Sequence, residues 1–279
     1  MIGRVERAII EQALSLAKHL ASEAAGLSRA GLGRTSVERK ADASYVTEVD
    51  REIQARITDS VRRQFPNHAI IGEERVERSY KQDLRAAHEA EYCWIVDPLD
   101  GTRNYVAGLP IFATSIAILE RGRPIIGVVL EHNLGLFYSA VLGAGALLND
   151  QPIQASDPPV DYDLVLGVPS SKDLRSVNVI RSWTGRKGFI CRNLGSTAIH
   201  LAMVASGVLN GACAKRCKIW DIAAGWLIVL EAGGKITDMD GNDRLPFALD
   251  GDPNTDTPFL AASPGVHRRL LETIRESAT

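Results

Sequence analysis

No run of lysine and arginine in this sequence is long enough to follow a nucleic-acid backbone, and the formal net charge of the 279 residues is only -2. Proteins that hold a phosphodiester chain neutralise many of its charges at once, so a nucleic-acid partner is not expected. No stretch of about 18 apolar residues occurs, which argues against a membrane-crossing helix. The opening segment, "MIGRVERAIIEQALSLAKHL", is interrupted by charge and lacks the apolar region of a secretory signal. Cysteine is scarce: Cys93, Cys191, Cys213 and Cys217 are scattered, and only the last two stand four apart. With no second pair at ligand spacing, a zinc site is not expected. Reduced thiols and a cytoplasmic location are the expectation. Internal repeats and low-complexity tracts are also missing. What remains is ordinary globular composition, 45% hydrophobic and 24% charged, in a chain long enough for one large domain or two modest ones.

Residues 3 to 26 read as an amphipathic helix, with Val5, Ile9, Ala13, Leu16, Ala17 and Leu20 at helical spacing. The Gly-, Ser- and charge-rich segment from Leu27 to Val46 reads as a loop or mobile hairpin. A second helix comes next and ends before Pro66. "HAIIGEE" is a short strand delivering Glu73 and Glu74. Residues 76 to 90 read as polar surface, and "YCWIV" is a strand delivering Asp97. From Thr114 to Asp150 the pattern becomes an antiparallel meander with short turns. Its "GAG" at 143–145 lacks the third glycine and the following helix of a nucleotide loop, so it reads as a turn. "SDPPVDYD" at 156–163 is the linker candidate, dividing the chain into 1–155 and 156–279. Beyond it, "LVLGVPS" is a strand, "GSTAIHLAMVASGVLNG" a helix, and "WDIAAGWLIVLEAGG" a helix closed by Gly233 and Gly234. "KITDMDG" and "FLAAS" are strands. Ser263 and Pro264 then supply an N-cap and first turn for a last helix. The mixture predicts a layered α/β fold with some antiparallel sheet.

Six acids stand at the ends of apolar segments or at helix openings: Asp50, Glu73, Glu74, Asp97, Asp100 and Asp221. Each has an ordinary explanation by itself. Asp-Gly is a turn signal, paired glutamates are commonly solvated, and an aspartate after Trp220 can be a helix cap. Together they suggest more. Like charges repel unless cations sit between them, and oxygen-only donors suit Mg²⁺, Mn²⁺ or Ca²⁺. In "WIVDPLDGT", Asp97 and Asp100 flank a proline-fixed turn. Gly101 and Thr102 then offer free amides at a helix start, where an anion such as phosphate is favoured. Metal plus phosphate reconciles the acids with the anion site.

"GEE", "DPLDGTRNYVAGLP", "GSTA" and "WDIAAG", with "KADASYVTEVD" upstream, resemble the inositol monophosphatase family of Mg²⁺-dependent, lithium-sensitive phosphomonoesterases. The resemblance covers about residues 10 to 265. It implies an αβαβα layered sandwich, a homodimer, and hydrolysis of a small phosphorylated metabolite by a metal-activated water. By resemblance, Glu73, Asp97 and the Leu99 carbonyl would hold one Mg²⁺, and Asp97, Asp100 and Asp221 a second. A looser third would sit beside Glu73, with Mn²⁺ a possible substitute. Asp50 and Thr102, alongside Glu73, would deprotonate the attacking water. The Gly101 and Thr102 amides would hold the phosphate. Asp100, Arg192, Gly195, Ser196, Thr197 and Asp221 would border the substrate. Lys40 would lie in a loop that approaches the site. No cysteine nucleophile is required, and no Cys-x5-Arg loop is present.

The resemblance thins at the substrate. Inositol enzymes carry a ring-binding glutamate seven residues before the "WD" aspartate; here that position is Ala214, followed by Lys215 and Arg216. Thr197 stands where alanine is common. The basic pair is either solvated or favours a second anion on the substrate. Related enzymes cleave histidinol phosphate, fructose 1,6-bisphosphate and 3'-phosphoadenosine 5'-phosphate, and these remain alternatives. A regulatory or binding protein of the same fold is the non-enzyme alternative.

Overall fold

The computed structural model describes residues 4–40, 44–74, 80–159, 162–169, 174–249 and 255–276. In chain order the elements are α1 (Arg4–Gly31), β1 (Val37–Arg39), β2 (Tyr45–Thr47), α2 (Glu48–Gln64), β3 (Ala69–Gly72), α3 (Tyr80–Glu89), β4 (Tyr92–Asp100) and α4 (Thr102–Ala107). Strands β5 (Ala113–Glu120), β6 (Arg123–Glu131), β7 (Leu136–Val141), β8 (Ala146–Leu148) and β9 (Gln151–Pro152) come next. Then come β10 (Leu164–Gly167), α5 (Leu174–Thr184), β11 (Phe189–Arg192), α6 (Thr197–Ala205), β12 (Gly211–Ala214), α7 (Ile219–Glu231), β13 (Lys235–Thr237), β14 (Phe259–Ala262) and α8 (Pro264–Glu276).

A seven-stranded sheet runs β3-β4-β5-β6-β7-β8-β9, with β3 and β4 parallel and every later neighbour antiparallel. A five-stranded mixed sheet runs β11-β10-β12-β14-β13. The period of two along each strand sorts the core into layers. In β4, Trp94 and Val96 face a cluster built with α1 and α2, through Ala17, Leu20, Ile53 and Ile57. Cys93 and Ile95 face the opposite cluster, built with α6 and α7 through Leu201, Ala224 and Trp226. Ala212 and Ala214 of β12 face those same two helices, whereas Cys213 faces Val179, Trp183 and Leu270 of α5 and α8. The order is therefore helix, sheet, helix, sheet, helix. This is the αβαβα mixed-sheet sandwich expected, with the antiparallel meander in the larger sheet.

Some local readings need correction, whereas the hairpin alternative before α2 and the turn at "GAG" agree with the structure. Helix α1 runs on to Gly31, because Ala24, Ala25 and Ser28 keep its buried face continuous. Beyond α1 lies a short hairpin of β1 against β2, whose residues 41–43 are outside the described ones. The polar stretch 76–90 contains α3, anchored by buried Ala87. Helix α5 and strand β11 were not read from the sequence. The helix starting at Thr197 stops at Ala205 rather than continuing to Gly211. Ser263 does not cap α8 by itself: it donates to Asp157 Oδ1 at 2.5 Å, and that carboxylate accepts the Gly265 and Val266 amides at 3.1 and 3.3 Å. The Gly143 and Gly145 amides of the "GAG" turn donate to Glu231 Oε1 and Oε2 at 2.9 and 2.8 Å. An internal carboxylate thus takes the place a phosphate would need.

Candidate active site

Strand β4 carries Asp97 past the edge of the core. A register shift between Asp97 and Asp100 turns the chain, so that both carboxylates stay near one volume. Asp97 is buried and its Oδ1 accepts the Leu99 amide at 2.9 Å, which fixes the turn from within. On the neighbouring strand, Thr114 donates to the Pro98 carbonyl at 2.8 Å, and buried His132 sits behind it with Nε2 2.9 Å from Thr114 Oγ1. Helix α7 is anchored to the same sheet by Ser115, whose hydroxyl donates to Trp220 O at 3.2 Å. Asp221, in the first turn of α7, accepts the Lys218 amide at 2.7 Å. Asp97, Asp100 and Asp221 then present carboxylate oxygens all within 4.8 Å of one another.

The electrostatics reflect that crowding. Burial pushes Asp97 well above the ordinary carboxylate range, and Glu73, Asp100 and Asp221 push it further. Burial does the same to Asp221, aided by Asp100 and Glu73. Burial also raises Asp100, to about 6, against the hydrogen bonds it receives from Ser196 Oγ at 2.5 Å and Ala198 N at 2.7 Å. Three carboxylates that resist ionising together, with oxygen donors only, fit one or more hard divalent cations. Leu99 offers its carbonyl at the same turn, where it also accepts Thr102 Oγ1 at 3.0 Å.

Beside this cluster stands a second pair. Asp50 is buried in the first turn of α2, where it accepts the Thr47 amide at 2.8 Å and the Thr47 hydroxyl. Burial raises its pKa to about 6 against those bonds, with Glu73 adding to the rise. Asp50 Oδ1 lies 3.3 Å from Thr102 Oγ1. Gly101 precedes α4 in a left-handed conformation, φ +96°, and a Cβ there would lie 3.0 Å from Ile111 O. The turn needs glycine to bring its amides to the surface of the site.

Glu73 comes directly after β3, with its amide donating to Val96 O at 3.0 Å, next to Asp97. Its carboxylate is engaged by Lys40 Nζ at 3.1 Å, and the same ammonium contacts Glu74. Burial opposes the Lys40 charge, but the two glutamates outweigh it and hold its pKa above the usual range. Burial and Glu73 together raise Glu74 to about 7 despite Lys40.

The remaining sequence candidates divide. Ser196 and the start of α6 meet Asp100, and Gly195 lies in the loop before them. The exposed Arg192 guanidinium donates to Cys191 O at 3.0 Å. Ala214 is buried in β12 opposite Phe259 and brings no polar group. Arg216 Nε lies 3.6 Å from Asp256 Oδ2, whose Oδ1 is 2.7 Å from Lys218 Nζ. Asp256 therefore offsets one of the two cations considered for a second substrate anion. Sequence reading missed Asn104, His132 and His200. Their partners are backbone groups and side chains remote in sequence, and only the position of Asn104 inside "DGTRN" marked it at all.

The model of the inositol monophosphatase family matches residues 6–279. The Nus factor SuhB of Escherichia coli is 34% identical over 245 residues, covering 85% of each chain. The fructose-1,6-bisphosphatase/inositol-1-monophosphatase of Aquifex aeolicus is 30% identical over 248 residues, covering 87% of this chain and 86% of that one. Among solved structures, the Thermotoga maritima IMPase superposes with a TM-score of 0.81 at 31% identity, covering 96% of this chain and 98% of the other. The chain is a member of the inositol monophosphatase family.

Proposed function

We propose that this protein is a Mg²⁺-dependent phosphomonoesterase. The observation that carries the reading is the set of Asp97, Asp100 and Asp221 oxygens within 4.8 Å of one another, one residue from the Gly101 and Thr102 amides. Asp97, Asp100, Asp221, Glu73 and the Leu99 carbonyl would hold two to three Mg²⁺, with Mn²⁺ able to substitute. Bound divalent ions would neutralise the phosphate and acidify an attacking water. The Gly101 and Thr102 amides orient the phosphate by hydrogen bonds. Asp50, whose Oδ2 is held by Thr47, would accept the Thr102 hydroxyl on Oδ1 in place of the Leu99 carbonyl and take its proton as Thr102 Oγ1 receives one from water. Glu73, whose carboxylate is engaged by Lys40 at 3.1 Å, would assist alongside them. Asp97 and Asp100 come from the segment 1–155 and Asp221 from 156–279, and we place the division of the chain there, with the site completed by both halves.

The substrate is a small phosphomonoester. With Ala214 in place of a carboxylate, discrimination among polyol phosphates should be weak, because no buried acid is left unpaired by the wrong ring. Inositol 1-phosphate should be no better a substrate than the best of sugar phosphates, histidinol phosphate, fructose 1,6-bisphosphate and 3'-phosphoadenosine 5'-phosphate. Phosphate release across that panel tests the reading; a preference of about a hundredfold for inositol 1-phosphate, roughly 2.7 kcal/mol, would contradict it. Lithium inhibition, a homodimer and a cytoplasmic location belong to the same proposal. No helix among the described residues is long and apolar enough to cross a membrane.

A second reading is a binding protein of this fold, suggested by relatives named Nus factor SuhB. The complete set of acids favours the enzyme, since a binding surface has no need of three mutually repelling carboxylates.

A further inference from the structure

The loop between β11 and α6 brings Ser196 to Asp100, and its position depends on the backbone of one residue, Leu194. The Leu194 carbonyl accepts Asn104 Nδ2 at 2.7 Å, and the Leu194 amide donates to His200 Nε2 at 3.1 Å. Asn104 Nδ2 also donates to Ile111 O at 2.7 Å, so the other amide hydrogen is used and the orientation of the group is fixed. His200 is 4% exposed and accepts through Nε2, which places its proton on Nδ1. Burial holds its pKa down to about 4, so the ring stays neutral. Gly195 comes next at φ +75°, and a Cβ there would come within 2.5 Å of the Asn104 side-chain amide. The residue after it is Ser196, whose hydroxyl reaches Asp100 Oδ2 at 2.5 Å.

Asn104 belongs to α4, which begins at the amides assigned to phosphate, whereas Leu194 belongs to the other sheet's loop. The two contacts thus tie α4 and α6 to the loop that carries Ser196 to Asp100. The family resemblance sets Ser196 and Thr197 beside the substrate, and Ala214 brings no polar group, so the placement of those two residues is what remains to tell leaving groups apart. We propose that Asn104 and His200 are positioning residues that clamp the backbone on both sides of Leu194 and thereby set leaving-group discrimination. This rests on the phosphatase reading above.

The test compares two substrates. Inositol 1-phosphate has a hydroxylated leaving group that must be oriented; p-nitrophenyl phosphate releases a stable phenolate that needs no such contact. With Mg²⁺ saturating, so that weaker support of Asp100 is compensated, His200→Ala should lower kcat/KM for inositol 1-phosphate by about tenfold, the scale of a sub-ångström misplacement, and change p-nitrophenyl phosphate by less than about twofold. His200→Gln, whose Oε1 can accept the Leu194 amide, should restore most of the loss. Asn104→Ala should reproduce the loss for inositol 1-phosphate from the carbonyl side of Leu194. Equal losses on both substrates, or none on either, would overturn the proposal. Hydrogen exchange at Leu194, followed by mass spectrometry on the whole protein, supplies a readout that does not need turnover. Exchange should accelerate in His200→Ala and recover in His200→Gln, and unchanged exchange would overturn the clamp. If the wild type hydrolyses neither substrate, the phosphatase reading falls and discrimination with it, while the exchange data still decide whether the clamp exists.

Discussion

The Ser196 hydroxyl donates to Asp100 Oδ2 at 2.5 Å across 96 residues of chain. With the Ala198 amide at 2.7 Å on the same oxygen, it ties the N-terminus of α6 to the end of β4. These two donors help Asp100 to ionise in a place where burial and neighbouring acids oppose it.

Removing that support should weaken metal binding without removing a ligand. Ser196→Ala is expected to lower Mn²⁺ affinity about 10- to 100-fold, the range typical of groups that hydrogen-bond a ligand. Titration followed by electron paramagnetic resonance measures it. Unchanged affinity would show that Asp100 is not a ligand.

Burial opposes the charge of Asp97, and so do Glu73, Asp100 and Asp221. Asp97→Asn should reduce turnover by at least about a hundredfold, and more than Glu74→Gln does. In EDTA the same substitution should raise the melting temperature, because one buried, repelled charge disappears. A lower melting temperature in EDTA would mean that Asp97 has a compensating partner.

The raised carboxyls make stability depend on pH and metal together. Asp50 and Asp100 at about 6 and Glu74 at about 7 bind more protons folded than unfolded. Their contribution is full below about pH 4, the unfolded carboxyl range, and is lost as the pH rises through 6 to 7. Buried His132, His200 and His267, held down to about 3, 4 and 4, act in the opposite sense: their unfolded forms gain protons below about 6.5. Divalent ions would relieve this effect at Asp100, and likewise at the raised Asp97 and Asp221, since they replace protons at the carboxylates that bind them, and would leave the histidines untouched. The gain in melting temperature on adding Mg²⁺ should therefore be larger at pH 8 than at pH 5. Differential scanning calorimetry at both values checks it, and an equal gain would count against the acid cluster as the metal site.

Glu231 holds the Gly143 and Gly145 amides, so the "GAG" turn is a structural cap. Glu231→Ala should cost about 1 kcal/mol in urea denaturation and leave turnover unchanged. A loss of activity with intact stability would assign that turn a role at the site.

Legibility in the sequence tracked adjacency. Asp97, Asp100, Gly101 and Thr102 lie within six residues, and strand, turn and helix start were all visible in that span. Asp221 was visible because it lies in "WDIAAG", which begins an apolar helix closed by Gly233 and Gly234 and carries the family resemblance. The layered class came from the alternation of strand and helix patterns. The hidden features were contacts closed over long separations onto backbone groups. Asn104 finds Leu194 O 90 residues away, and Asp157 takes the first amides of α8 more than a hundred residues on. A backbone partner leaves no side-chain signature at its own position. The extension of α1 to Gly31 was missed because Gly26 and Ser28 read locally as breakers, while burial of Ala24, Ala25 and Ser28 overrides that preference.

The central claim is that the acid cluster binds the divalent ions on which phosphate hydrolysis depends. Phosphate release from p-nitrophenyl phosphate, measured in excess EDTA and again after Mg²⁺ is restored, tests it most directly. The expected result is no turnover above background in EDTA, full recovery with Mg²⁺, and no recovery in Asp97→Asn. Undiminished turnover in EDTA would contradict it.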